Sequence, residues 1–378
     1  MSQSSQVLDR AFTEAKRLCY AGLDERTLLK KVTDRVRRAV PFEAYCAHVN
    51  DPASGLITYA VPSDAAIEER APTFLQRVYL QDEVTPFGWM AKERLPAIAL
   101  SEATGGKPER ALRYRELLVH LGFRHELRGV FALDGKLWGC VTTMREASSP
   151  DFDIREIALF HRIAPHLAAG LKTAALHSDA LAEPAGDNAP GVLVLDYKGR
   201  VLQHTWAAER WLRDLEDLRP GWQEGESLPW AVLSVAGALR QALGTSTERD
   251  RNSVPRLLTR TRSGRWLALH GAKTEPRPER GSETMIVIEP AEPREVSWLR
   301  TSAYGLSDRE REVVDLVVRG LSTKQISRTL FISEYTVQDH LSNVFDKVGV
   351  RGRRALVKRL YLDSLVSLGS RSVSSVLR

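Results

Sequence analysis

Leu306-Ser307-Asp308-Arg309-Glu310-Arg311-Glu312-Val313, Gly320-Leu321-Ser322-Thr323-Lys324-Gln325-Ile326 and Ile332-Ser333-Glu334-Tyr335-Thr336-Val337-Gln338-Asp339-His340 follow one another closely and lead into Lys347-Val348-Gly349-Val350. Each of the first three stretches starts a helix. Ser307-x-x-Glu310 and Ser322-x-x-Gln325 are capping boxes: the serine oxygen accepts the N–H three residues on, and the Glu or Gln side chain returns to the serine N–H. Ser333 caps a third helix, expected over Glu334 to about Val348, while Gly320 and Gly349 stand where left-handed stop residues are wanted. Short helices with tight stops make a compact unit that can present one helix to a DNA groove.

On the third helix Val337, Leu341, Val344, Phe345 and Val348 share one face, which should pack onto a first helix carrying Val313, Val314, Leu316 and Val317 inward. Tyr335, Gln338, Asp339 and Ser342 are left on the opposite side, toward the N-terminal half that a recognition helix directs at base edges. A fourth helix, Arg353 to about Leu365, completes the unit.

These motifs, at unbroken spacing over about residues 304–364, are similar to the LuxR/GerE-type C-terminal helix-turn-helix domain. The resemblance implies an all-α four-helix domain that binds double-stranded DNA as a homodimer, the third helix in the major groove and the fourth at the dimer contact. Carried onto this chain, it puts base reading at Gln338, Asp339 and Ser342. It puts phosphate contacts at Thr323, Lys324, Tyr335, Thr336, Lys347, Arg351, Arg353 and Arg354. Two departures matter. Gln338 stands where many members carry lysine and Asp339 follows it, so the reading surface holds an anion and no cation. Gly352 stands where a serine cap is more usual, which predicts a less firmly set start for the fourth helix.

Charge agrees with this placement. Residues 301–378 hold thirteen Lys and Arg against eight Asp and Glu, so five of the net six positive charges lie there. A basic segment on a near-neutral body suggests a polyanionic partner for that segment, against the plainer reading of a solvated helical face.

The chain has 378 residues, long enough for two or three domains. Breaks at Ser178 to Pro190 and at Glu289 to Pro293 give segments 1–178, 190–293 and 300–378. The first segment opens with helical patterns at Val7 to Leu18 and Glu25 to Val40. A hairpin follows, Ala44 to Val49 and Leu56 to Val61. Gly129 to Leu133 and Lys136 to Val141 flank Asp134-Gly135, a two-residue loop that favours a type I′ hairpin. The closing helix, with Ile154, Ile157, Ala158, Ile163, Leu167 and Leu171 as its stripe, contains Pro165 and should kink or break there.

That order of elements, with Ala99-Leu100-Ser101-Glu102-Ala103-Thr104-Gly105-Gly106 and Ala164-Pro165-His166-Leu167, resembles a GAF-type sensor domain. Such domains, an antiparallel sheet covered by helices, are fused to DNA-binding tails in actinobacterial regulators. The middle segment has strands at Gly191 to Leu195 and around Val201, then a helix with Trp206 and Trp211. Strands at Arg256 to Arg262, Trp266 to Ala272 and Met285 to Glu289 close it, a layout that resembles a PAS-like α+β module. The whole is expected to be a multidomain α+β protein.

Other chemistry finds little support. Cys19, Cys46 and Cys140 are odd in number and widely spaced, which suggests neither a disulfide framework nor a zinc site. His120, His125 and Glu126 lack a third metal ligand at a motif spacing, and His161 and His166 do not share a helix face. His340 fits the helix interior or a phosphate contact better than a metal. Ser101 to Lys107 lacks the full pattern of a phosphate loop and reads as a surface loop. Trp206, Trp211 and Trp266 fit a core better than a ligand cavity. Cys140, on a strand, reads as a buried small hydrophobe. With no signal peptide and no apolar run near the ~18 residues of a membrane span, the chain reads as cytoplasmic. The sequence therefore predicts a non-enzymatic, sequence-specific transcription regulator without a cofactor. Its N-terminal modules would answer to an unidentified small molecule or partner. One alternative is a promoter- and RNA-polymerase-binding module like sigma-factor region 4. A redox-active GAF sensor enzyme using Cys140 is a third.

Overall fold

The computed structural model describes residues 3–70, 74–75, 84–177, 188–196, 198–215, 217–222, 228–244, 254–273, 283–292, 295–296 and 304–362. Most of the expected linker at 178–190, Pro293, and the chain beyond 362, with the expected end of the fourth helix, lie outside them. The chain divides into two compact units. One is drawn from Met1–Ser178 with Asn188–Pro290, the other essentially from Ala291 onward.

In the first unit α1 (Gln3–Cys19) and α2 (Glu25–Arg37) precede the hairpin β1 (Ala44–Asn50) and β2 (Ile57–Pro62). Asp24 caps α2 by accepting the Thr27 N–H at 2.9 Å. Short helices α3 (Ala65–Glu69) and α4 (Phe87–Lys92) precede the short strand β3 (Ala97–Ala99), and α5 (Leu100–Thr104) follows it. Residues 101–107, expected as a surface loop, are instead largely the helix α5, ended by Gly105 in the left-handed region at φ +63°. The hairpin β4 (Phe123–Leu133) and β5 (Lys136–Glu146) leads to α6 (Ile154–His177). Its turn is as expected: Asp134 and Gly135 both have positive φ, 54° and 72°. The five strands form an antiparallel sheet in the order β2-β1-β5-β4-β3. The order helix–helix–hairpin–helices–hairpin–helix read as GAF-like is the observed one.

α6 runs through Pro165 without a break. The proline removes one N–H and crowds the carbonyl of residue 161, but Pro165 lies on the exposed side, where that carbonyl can meet water. Ile163, Ala164, Leu167 and Ala168 on either side are buried, so packing keeps both halves helical. Close approach also fixes the helix: a Cβ on Gly170 would lie 2.7 Å from the Cys19 carbonyl oxygen.

The second sheet, β6 (Gly191–Leu195), β7 (Val201–His204), β8 (Arg256–Arg260), β9 (Trp266–Lys273) and β10 (Thr284–Pro290), is antiparallel in the order β7-β6-β10-β9-β8. α7 (Trp206–Asp214) and α8 (Trp230–Gly244) pack on it. Gly191 is needed here, since a Cβ would meet the Ala208 backbone at 2.5 Å. The two sheets are not separately cored: Cys46, Phe74 and Met144 belong to the same apolar cluster as Trp211, Trp230 and Leu257. Polar links join them as well. The Leu258 N–H donates to the buried Asp51 Oδ2 at 3.3 Å, and at the surface Arg219 pairs with Glu68. Trp206, expected in the core, is 71% exposed, while Trp222 and Trp230 are buried in the same apolar cluster as Trp211. The amphipathic turn Trp206-Ala207-Ala208 puts Ala208, not the tryptophan, against β6.

In the second unit α9 (Asp308–Val318), α10 (Thr323–Leu330), α11 (Glu334–Val348) and α12 (Arg353–Val357) follow one another, α12 widening into an i→i+5 turn at Lys358–Leu362. Their core is Val313, Val314, Val317, Ile326, Val337, Leu341, Val344, Val348, Leu356 and Leu360.

Candidate nucleic-acid interface

The caps read from the sequence are all formed. Ser307 Oγ accepts the Glu310 N–H at 3.2 Å and Glu310 Oε2 accepts the Ser307 N–H at 2.7 Å. Ser322 and Gln325 repeat the pattern at 3.4 and 2.8 Å. Gly320 closes α9 with φ +82° and the six-to-one bond from the Leu321 N–H to Leu316 O. Between α10 and α11 the turn is made by Phe331 in the left-handed region, φ 55°. Ser327 Oγ donates to Ile332 O at 2.5 Å and secures it. Left-handed backbone is uncommon for a bulky residue, and Phe331 is 94% exposed.

Ser333 Oγ accepts the Thr336 N–H at 3.0 Å and starts α11. The valines and Leu341 face inward, so Tyr335, Gln338, Asp339 and Ser342 are exposed on the other side. None of these four side chains has a hydrogen-bond or ion-pair partner among the described residues. Gln338 and Ser342 line one concave surface with Thr323, Gly352 and Arg353. A helix edge with free amide, carboxylate and hydroxyl groups beside a groove can form directional hydrogen bonds with base edges.

The positions assigned to phosphate separate into two sets. Lys324, Arg351 and Arg354 are exposed, with no partner among the described residues, and can meet an anion. Lys347 and Arg353 are engaged within the fold. Lys347 Nζ lies 2.9 and 2.7 Å from the two carboxylate oxygens of Glu310. Burial alone would raise the Glu310 carboxyl, but Lys347 and the Ser307 N–H overcome it and hold it below the usual range. Arg353 donates to Leu321 O at 2.7 Å and to Thr323 Oγ1 at 2.8 Å. These bonds anchor α12, whose N-cap Gly352 (φ 117°) supplies no side-chain cap. They also occupy the Thr323 hydroxyl, and the Thr336 hydroxyl is likewise in contact with Ser333 Oγ at 2.8 Å. Sequence spacing gave no signal of these long-range pairings.

The other constellations have structural partners. Glu126 is buried between Arg113 at 2.7 Å and Arg128 at 3.6 Å, and His166 accepts or donates to Tyr20 Oη at 2.9 Å. Among the described residues no group of three His, Cys, Asp or Glu could hold a metal ion, and no helix is long and apolar enough to cross a membrane. All three cysteines are buried and free. Burial pushes their thiols up, Cys19 to about 12 and Cys140 well above the ordinary value.

Residues 304–360 match the family described as bacterial regulatory proteins, luxR family. The spore germination protein GerE of Bacillus subtilis is 49% identical over 61 residues, which is 16% of this chain and 82% of that protein. The CsgBAC operon transcriptional regulatory protein of Escherichia coli is 44% identical over 57 residues, 15% of this chain and 26% of that protein. Among solved structures, the VqsR LBD domain from Pseudomonas aeruginosa aligns over 43% of this chain and 96% of its own, with 19% identity and a TM-score of 0.31.

Proposed function

Because the chain belongs to the luxR family of bacterial regulatory proteins, we propose that it regulates transcription by sequence-specific DNA binding, with Gln338, Asp339 and Ser342 on α11 as its base readers. One observation carries the assignment of readers: three exposed polar side chains, without a partner among the described residues, on the face of α11 opposite its buried stripe. Gln338 can pair with adenine N6 and N7, and Asp339 can accept from cytosine N4. Lys324, Arg351 and Arg354 supply the attraction to phosphate that the reading surface itself lacks. Tyr335, exposed at the start of α11, joins them in this reading. Two copies bind as a homodimer, so that half-sites are read at a fixed spacing. The N-terminal unit, in answer to a small molecule, biases how the two reading helices are placed.

Selection of bound DNA from a random pool by the full chain tests this reading. A palindromic motif should emerge, with affinity falling steeply as salt is added. The rival reading, contact with RNA polymerase, draws on the acidic character of α11, where Glu334, Asp339 and Asp346 are all exposed. Polymerase capture with no enriched DNA motif would favour it.

A further inference from the structure

In the first sheet the side chains of β4 and β5 alternate between two environments. Val141 and Phe131 face α2 and α6, where they meet Val32 and Phe160. On the other face lie Cys46 and His48 of β1 and Cys140, Thr142 and Met144 of β5. Register sets Cys46 opposite Thr142 and His48 opposite Cys140. A cavity of about 30 Å³ opens on this face, walled by Cys46, Phe74, Leu118, Thr142, Met144 and Trp230. Trp230 comes from α8, which packs on the second sheet, so the two sheets close the cavity together.

On this face Thr142 Oγ1, in the cavity wall, and His48 Nε2 are buried without a hydrogen-bond partner among the described residues. Thr142 and His48 are 2% and 0% exposed. They are diagonal neighbours across the β1–β5 pair. His48 itself lies behind Phe74, whose ring stacks on it at 5.2 Å, so the cavity reaches His48 only when that ring moves. A chain of hydrogen bonds sets what each can do. Asn50 Nδ2 donates to Gly55 O at 2.9 Å, which leaves Oδ1 to accept from the Cys140 thiol at 3.5 Å. The sulfur then accepts from His48 Nδ1–H at 3.5 Å. His48 is neutral, held down at about 3 by burial and by Arg128, so Nε2 presents a bare lone pair. Thr142 Oγ offers a hydrogen; His48 Nε2 needs one.

We propose that this cavity is a binding site for a small uncharged molecule with an apolar, ring-like body and one hydroxyl or N–H group that accepts from Thr142 and donates to His48. The proposal deepens the sensor reading above and rests on it for the consequence of binding. The apolar body suits Phe74, Trp230, Met144 and Cys46. A charged ligand would find its partners taken. Arg113 pairs with Glu126 at 2.7 Å, and Arg128, the third buried charge on this face, is held by Glu126 at 3.6 Å, by Thr85 O at 2.9 Å and over the Phe87 ring. A buried charge without a partner is strongly disfavoured. The space now present holds about two waters by the usual measure, so a ring enters only by moving Phe74 or Trp230. Trp230 is the first residue of α8 and rings His48 at 5.5 Å. Occupancy of the first sheet's cavity therefore shifts the helix that cores the second.

Calorimetry and thermal melting of the full chain with phenol, toluene and benzoate test this. Phenol should bind at least tenfold more tightly than toluene, and benzoate should not bind. Thr142→Val should fold with an unchanged or higher Tm and bring phenol to the affinity of toluene. Binding of none of the three overturns the proposal, as does a preference for benzoate or a Thr142→Val variant that keeps the phenol preference. The random-pool selection is run on the same preparations. A DNA motif without phenol binding sinks this proposal and spares the regulator reading; phenol binding without a motif does the reverse.

Discussion

At the scale of single residues, the two arginines next to each other on α12 have different work. Arg354 is exposed and free among the described residues, whereas Arg353 is bonded to Leu321 O and Thr323 Oγ1. Arg354→Ala should leave Tm unchanged and lower the slope of log K against log salt by about 1, the mark of one lost phosphate contact. Arg353→Ala should instead lower stability by about 1–3 kcal/mol, the worth of hydrogen bonds to a charged group, read in a denaturant titration. Gln338→Ala should cost about 1–3 kcal/mol of discrimination at one base pair, measured on operators substituted one position at a time; equal losses on all sequences would move Gln338 to the backbone.

Asp217 belongs to the same scale. Its Oδ2 accepts the Trp230 N–H at 2.8 Å, and burial raises the carboxyl to about 6. A carboxyl whose folded pKa exceeds its unfolded value of about 3.9 favours the fold most below that value. The benefit is lost as pH rises through about 6. Asp217→Asn keeps an acceptor for Trp230 and removes the charge. It should be more stable than the parent at pH 7 by about 1–3 kcal/mol, with the difference vanishing below about pH 4. A constant difference across that range would refute the assignment.

At the scale of elements, the helix ends of the second unit show why so much was legible. A capping box or a left-handed glycine joins residues three to five apart, so Ser307, Ser322, Ser333 and Gly349 announce their helices in order along the chain. Ser307→Ala should cost about 1 kcal/mol in chemical denaturation. Gly349→Ala should cost about 1–2 kcal/mol, since φ 71° is left-handed. The same local logic found the Asp134-Gly135 turn. It missed Lys347, whose partner Glu310 is 37 residues away, and it misjudged Trp206. Their outcomes depend on which side of a helix another element covers, and no neighbour in sequence records that.

At the scale of the whole molecule, the proposed assignment puts base reading and electrostatic attraction on different residues. On that proposal Glu334, Asp339 and Asp346, exposed on α11, repel the phosphate backbone, while Lys324, Arg351 and Arg354 attract it from outside that helix. Asp339→Asn should therefore raise affinity for DNA of any sequence and narrow the gap between operator and random DNA, measured by competition at fixed salt. If affinity for random DNA stays the same, Asp339 does not face the duplex.

The cluster that runs from Cys46 and Met144 through Trp230 to Leu257 bears on descent as well as on stability. A sheet that completes its interior with side chains from its neighbour is a poor item of exchange: moved alone into another gene, it would arrive with an open side. The two sheets must be inherited, duplicated or lost as a pair. The tail, with its own interior and its own caps, is under no such bond and is free to travel, as its 49% identity to the far shorter GerE over 61 residues shows.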